Sequence, residues 1–124
     1  MYIKLKGQTL ITLMIFMIVA ITVVTASVAI ILTNSQGAAL LEDAAGSHTS
    51  AESGIENALL RLLRNPGYTG ETMQINSDQI VITVTGSNPY IITSTATTGK
   101  SRRSIEAKAE YINNELKISQ WKEI

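Results

Sequence analysis

The sequence predicts an α+β protein in which a long N-terminal helix, membrane-spanning in its first half and amphipathic in its second, packs on a small antiparallel β-sheet of three to five strands. Three observations predict this fold class. An uncharged run covers residues 10–32, apolar residues then recur every three or four positions up to Leu63, and an alternating pattern begins after Pro66.

Residues 10–32 form an apolar run of 23 residues without a charge, a glycine or a proline. As a helix that rises about 1.5 Å per residue, the run reaches roughly 35 Å, enough to cross the hydrocarbon core of a bilayer. We expect its hydroxyl side chains to bond to carbonyls of the preceding turn; they belong to Thr12, Thr22, Thr25 and Ser27. The run is therefore expected to be a membrane helix.

The basic residues predict the orientation of this helix. Lys4 and Lys6 precede it, and the next basic residue is Arg61. Because basic residues concentrate on the cytoplasmic side, we expect the N-terminus in the cytoplasm and the chain beyond about Asn34 outside. A plain signal anchor is the simplest alternative. A secretory signal removed near residues 26–29 fits less well, because the apolar region of such signals has about 7 to 15 residues.

The second half of the predicted helix is amphipathic. Its apolar stripe, with His48 included, consists of Leu40, Leu41, Ala44, Ala45, His48, Ala51, Ile55, Ala58, Leu59, Leu62 and Leu63. Asn65-Pro66-Gly67 ends the helix, since proline cannot continue the hydrogen-bond ladder, so one helix is expected over about residues 8–64. Gly37, Gly46 and Gly54 interrupt the pattern. We expect ordinary tolerance at these glycines, with close contacts or a flexible joint near residues 34–37 as alternatives.

The remaining residues alternate between apolar and polar positions, as half-buried strands do. Residues 79–85, 90–98 and 102–112 are predicted strands separated by turns, and residues 71–76 and 116–121 are candidate edge strands. A sheet with one apolar face needs a cover. The helix stripe through Ile55, Leu59, Leu62 and Leu63 is expected to supply it.

Composition argues against several classes of function. Ten basic residues balance ten acidic ones, there is no cysteine, and His48 is the single histidine. A disulfide framework and a thiolate metal site are therefore excluded, and we expect no cofactor and no bound metal. No serine–histidine–acid spacing or phosphate-binding loop occurs, so an enzyme is not expected.

Four features of the soluble part are weaker candidates for binding. His48 is expected to be a packed or partly exposed ring. Glu52 and Glu56, one turn apart, are expected to mark a solvated face more often than a calcium or partner contact. A basic turn could touch an anionic partner such as DNA, although an ordinary exposed hairpin is favoured; it contains Lys100, Arg102 and Arg103. Trp121 either seals the open edge of the sheet or is a contact point.

The N-terminal motif Lys6-Gly7-Gln8-Thr9, followed by an apolar helix, an amphipathic extension and a small sheet, resembles the type IV pilin and pseudopilin superfamily. Residues 51–59, AESGIENAL, resemble the corresponding stretch of PilX-class minor pilins and of minor pseudopilins of type II secretion. Residues 98–107, TGKSRRSIEA, are similar to their final sheet hairpin. The resemblance covers nearly the whole chain.

The resemblance implies processing by a prepilin peptidase that cuts between Gly7 and Gln8, with methylation of the new N-terminus at Gln8. Residues 1–7 would then be a leader, 8–33 a membrane and filament-core helix, 34–66 its amphipathic extension and 67–124 the sheet of the head. The implied partners are other pilin subunits, the prepilin peptidase and the assembly platform in the membrane. The implied location is the cytoplasmic membrane and then an extracellular or periplasmic filament.

Thr12 departs from the pattern of this family. Most members have glutamate as the fifth residue of the mature chain, and its carboxylate is thought to pair with the N-terminal amine of the preceding subunit. Tip-located members commonly lack this acid. We therefore expect a minor subunit, tip-proximal or initiating, with a tolerated substitution in any subunit as the alternative. The rival function is a membrane-anchored binding or sensor domain that does not polymerise.

Overall fold

A computed structural model describes residues 2–124 of the chain, with side chains from Gly7 onward. One helix precedes five strands: α1 (Tyr2–Arg64), β1 (Gly70–Ile75), β2 (Asp78–Thr85), β3 (Tyr90–Thr98), β4 (Ser101–Ile112) and β5 (Glu115–Glu123). The chain divides into two compact units, Met1–Ala38 and Ala39–Ile124. The second unit contains the end of α1 packed on the sheet, so the predicted α+β fold class is confirmed.

The helix α1 begins before the predicted start and ends where predicted. It includes residues 2–7, because lysine and leucine are good helix formers and no proline precedes residue 66. After Arg64 the Asn65 N–H still donates to Arg61 O at 2.8 Å, and Gly67 N–H donates to Asn65 Oδ1 at 3.0 Å. Pro66 stops the helix, so the Gly67 N–H has no helical carbonyl to bond to. The Asn65 side chain accepts its hydrogen bond instead.

The first unit contains the apolar half of α1. Its large side chains are exposed, with Phe16 at 70 %, and the apolar window of the helix has none of its residues buried. The expected local hydrogen bonds are present. Each hydroxyl donates at 2.8 Å to a carbonyl three or four residues earlier: Thr12 to Gln8, Thr22 to Val19, Thr25 to Ile21 and Ser27 to Val23. This half is long and apolar enough to cross a membrane.

The sheet is an antiparallel meander in the order β1-β2-β3-β4-β5. Tyr90–Thr98 has the predicted bounds, and the other two central strands differ from prediction by one residue at one end. Both candidate edge strands form, which gives five strands. Side chains alternate, so that one face of the sheet is buried; it carries Ile80, Ile82, Val84, Ile92, Ile105, Ala107 and Ala109.

The end of α1 covers this buried face. Ala51, Ile55, Ala58 and Leu62 are buried against the sheet, as the stripe predicted. Four members of the predicted stripe are instead exposed, namely Ala45, Leu40 at 55 %, Leu41 at 74 % and Leu63 at 54 %. The buried line is displaced around the helix toward Ser47 and Gly54, which are small enough to lie against the sheet. The role predicted for Leu63 in covering the sheet is therefore wrong.

Candidate functional site

The first candidate site is the Gly7-Gln8 peptide bond, which lies inside α1. A β-carbon built on Gly7 would meet no heavy atom within 4 Å, and both residues are exposed. A peptidase binds its substrate as an extended chain, so cleavage here would require local unwinding of the helix. Glycine lowers the cost of that unwinding by about 1 kcal/mol relative to alanine.

Thr12 lies one helical turn after Gln8. Its Oγ1 donates to Gln8 O at 2.8 Å, so the hydroxyl is paired within its own helix. A carboxylate at this position would instead require an outside partner in lipid. Thr12 therefore places no charge in the apolar half of α1 and needs no partner from another chain.

His48 lies between two carboxylates at the end of the sheet. Its Nε2 is 3.3 Å from Glu52 Oε1, and its Nδ1 is 3.8 Å from Glu123 Oε2 on β5. The imidazole is 43 % exposed, which confirms the expected partly exposed ring. Glu52 thus pairs with His48, whereas Glu56 is exposed, as predicted for a solvated face. Within residues 7–124, whose side chains are described, no group of three or more His, Cys, Asp or Glu residues is placed to hold a metal ion.

The basic turn between β3 and β4 lies against acidic side chains. Arg103 Nη1 is 2.8 Å from Glu123 Oε1, and the backbone N–H of Lys100 donates to Asp43 Oδ2 at 3.3 Å. Arg102 and the side chain of Lys100 are exposed. The turn is therefore hydrogen-bonded to α1, and acidic side chains lie among its basic ones. Such a mixed surface does not favour the binding of phosphate groups.

A polar network joins α1 to β1 at the other end of the sheet. Glu71 Oε1 accepts hydrogen bonds from Asn57 Nδ2 at 2.8 Å and from Tyr68 Oη at 3.1 Å, and Arg61 Nε lies 3.4 Å away. Burial, followed by the hydrogen bond to Glu71 and the negative charge of that carboxylate, raises the pKa of Tyr68 to about 12. No sequence pattern indicates this network, because Asn57 and Glu71 are 14 residues apart and meet only once β1 is paired.

Trp121 lies on β5, the last strand of the sheet. It pairs with Ala107 of β4, whose side chain is buried on the face that α1 covers, so Trp121 points to that face. The indole is 42 % exposed. Trp121 is therefore a half-exposed apolar side chain of the edge strand, on the face of the sheet that α1 covers.

Comparisons with protein-family models, with curated proteins and with solved structures found no match to this chain.

Proposed function

We propose that this chain is a minor subunit, tip-proximal or initiating, of a type IV pilus or a related filament. In this proposal the precursor is cut between Gly7 and Gln8, methylated at Gln8, and assembled through the apolar half of α1. The observation that carries the proposal is a single helix with two different environments. Its first half is fully exposed and apolar, and its second half is docked on a five-stranded sheet.

The apolar half of α1 has the properties required for storage in a membrane and for later helix packing. Lipid and a helix bundle are both apolar, so moving between them gains little hydrophobic free energy, and close packing must decide the association. Small residues allow such an approach, and this half carries Ala20, Ala26, Ser27 and Ala29. Four hydroxyl groups of this half already donate hydrogen bonds within the helix, those of Thr12, Thr22, Thr25 and Ser27. They therefore do not oppose transfer of the helix from lipid into a helix bundle.

Processing at Gly7 would change the charge of the protein. Removal of Lys4 and Lys6 leaves eight basic against ten acidic residues. The loss of these lysines removes the basic residues that hold the N-terminus on the cytoplasmic side, which is consistent with later extraction from the membrane. The proposed partners are other filament subunits, the prepilin peptidase and the membrane assembly platform.

The alternative function is a single-pass, membrane-anchored binding or sensor domain. The same apolar helix and docked sheet would serve it, with the helix left permanently in the lipid. Half-exposed Trp121 on the edge strand favours a binding role of this kind. The two functions differ in whether residues 1–7 remain on the mature chain.

Mass spectrometry of the N-terminal peptide recovered from native membranes tests the proposal. We expect a peptide that begins at methylated Gln8, and we expect Gly7→Leu to accumulate as the uncut precursor. Gly37→Leu is the matched control, since Gly37 is also a helical glycine with no heavy atom within 4 Å of a built β-carbon. Mature chains that begin at Met1, or normal cutting of Gly7→Leu, would contradict the proposal and favour the anchored domain.

A further inference from the structure

The end of β5 meets α1 at a small group of charged side chains. His48 lies on α1, with its Nε2 3.3 Å from Glu52 Oε1 of the same helix and its Nδ1 3.8 Å from Glu123 Oε2 of β5. Arg103 of β4 contacts the other oxygen of Glu123, since its Nη1 lies 2.8 Å from Oε1. We call His48, Glu52, Arg103 and Glu123 the β5 cluster.

The β5 cluster lies at the last residues of an edge strand. Glu123 pairs with Ile105 of β4, and the Ile124 N–H donates to Ser104 O at 2.9 Å. These backbone bonds attach the end of β5 to β4. Because Ile105 is buried under α1, the side chain of Glu123 lies on the same face of the sheet, where it meets His48. The cluster therefore joins the end of β5 to the helix.

The charge of the β5 cluster depends on pH in the neutral range. Histidine is the side chain type that ordinarily changes charge between pH 5 and 8, whereas carboxylates and guanidinium groups keep theirs over most of this range. With a neutral imidazole, the cluster contains two negative charges and one positive charge. A protonated imidazole adds a second positive charge and balances the two carboxylates.

The two ring nitrogens of His48 face carboxylates on different elements. A neutral imidazole carries one N–H, so its other nitrogen presents a lone pair to the carboxylate that it faces. A protonated imidazole carries an N–H on both nitrogens and attracts both carboxylates at once. Protonation therefore adds an attractive contact, and it links Glu52 of α1 through the ring to Glu123 of β5.

Other charged side chains of the same elements have different partners. On α1, Asp43 accepts a hydrogen bond from the Lys100 N–H at 3.3 Å. On β5, Lys122 lies on the opposite face of the sheet, 3.1 Å from Glu106. Aspartate, glutamate and lysine side chains ordinarily keep their charge between pH 5.5 and 8. The pH dependence of the cluster in this range therefore comes from His48.

We propose that the β5 cluster is a pH-sensitive contact that holds the end of β5 on α1 more tightly in mildly acidic solution than in mildly alkaline solution. The contact is complete when the imidazole is protonated, and it weakens as rising pH removes that proton. In both functions considered above the sheet lies outside the cytoplasm, where the surroundings set the pH. The inference is therefore independent of which of the two applies.

The expected effect is local and modest. The side chains of His48 and of its two carboxylate partners are 40–43 % exposed, and ion pairs at such exposure are weak because water screens them. We therefore expect the end of β5 to open roughly two to five times less often at pH 5.5 than at pH 8, while the rest of the sheet remains paired.

Hydrogen exchange measured by NMR on the full-length chain in detergent micelles tests the inference. The Ile124 N–H is the probe, since its bond to Ser104 O breaks when the end of β5 opens. After correction for the pH dependence of exchange in unstructured peptides, its protection should be roughly two- to fivefold higher at pH 5.5 than at pH 8. The Val84 N–H, which donates to Thr69 O at 2.8 Å, should keep the same protection and shows that the sheet is folded.

His48→Gln removes the titrating group and keeps a polar side chain, so the ratio of Ile124 protection between the two pH values should fall to about one. Glu56→Gln is the matched control, because Glu56 is an exposed carboxylate of the same helix outside the cluster. It should keep the wild-type ratio. A ratio of one in the wild type, a wild-type ratio in His48→Gln, or an equal loss in Glu56→Gln would overturn the inference.

Discussion

At Gly54 the backbone of α1 lies in contact with side chains of the sheet. A β-carbon built there would collide with Ser94 Oγ and would lie 2.8 Å from Ile80 Cγ2. At Gly46 the nearest atom is Thr98 Cγ2 at 3.3 Å, and at Gly37 nothing lies within 4 Å. The alternative of a close contact is therefore the observed one at Gly54, and it is not observed at Gly37.

Gly54→Ala should therefore destabilise the head. Overpacking typically costs about 1–3 kcal/mol, and alanine returns about 1 kcal/mol through its helix propensity. Because the built β-carbon collides with two side chains of the sheet, we expect the upper end of the difference, a net loss of about 2 kcal/mol. Denaturant unfolding followed by tryptophan fluorescence measures it. Gly37→Ala is the control and should leave the head unchanged. A Gly54→Ala head as stable as the wild type would show that the sheet can move away from the helix.

Ser94 provides a second check on the same contact. Its Oγ is buried and has no hydrogen-bond partner among the described residues. Removal of an unpaired buried hydroxyl costs little, and here it also removes the atom that a β-carbon at position 54 would strike. Ser94→Ala should therefore recover part of the stability that Gly54→Ala loses.

At the scale of elements, Tyr68 and Glu71 fix the entry of β1 beside the end of α1. Glu71 accepts from Asn57 of the helix and from Tyr68 of the connecting segment, so one carboxylate holds three parts of the chain together. The Tyr68 phenol is stabilised in its protonated form by burial and by this carboxylate, which raises its pKa from 10.0 to about 12. The junction therefore depends on the phenol being neutral.

The junction should weaken at high pH. Because the folded protein retains the phenol proton more tightly than the unfolded chain, the Tyr68 contribution is fully present below pH 10 and is lost as the pH rises toward 12. Thermal unfolding of the wild type and of Tyr68→Phe at pH 8 to 12 measures this effect. The stability difference between the two should shift in favour of Tyr68→Phe above pH 10. A difference that is constant with pH would contradict the proposed role of the hydrogen bond.

The strength of the sequence pattern decided which elements could be predicted. Tyr90–Thr98 is dense in β-branched residues and was predicted with its observed bounds. The extent of β5 was underestimated, because the register between β4 and β5 shifts at Lys108/Ala109 and the alternation of β5 is broken. The displaced helix stripe has a similar cause: periodicity locates an apolar face, but the sheet decides which part of that face is buried.

At the scale of the whole molecule, the contacts of the candidate residues were less predictable than the fold. Asp43 meets Lys100 and His48 meets Glu123 only because α1 crosses the sheet at one particular register. No local pattern encodes that register, so these two contacts could not be foreseen from the sequence. In contrast, the hydrogen bond of Thr12 depends on its own helix alone, and it was predicted from the sequence and is confirmed.

Thr12 also allows a test of where the subunit lies in the proposed filament. If the chain is tip-proximal or initiating, it needs no carboxylate to meet a preceding subunit, and Thr12→Glu should not raise its copy number relative to other subunits in sheared filaments. We expect an unchanged or lower number, because an unpaired carboxylate in lipid costs a few kcal/mol. Quantitative mass spectrometry of purified filaments measures the ratio.

Thr12→Val is the matched control for this experiment. It removes a hydroxyl that bonds only to Gln8 O among the partners described for it, so membrane insertion and assembly should remain at wild-type levels. A large rise in copy number for Thr12→Glu, without a rise for Thr12→Val, would show that the missing charge limits entry into the shaft. The subunit would then belong along the filament, and Thr12 would be a tolerated substitution instead of a mark of the tip.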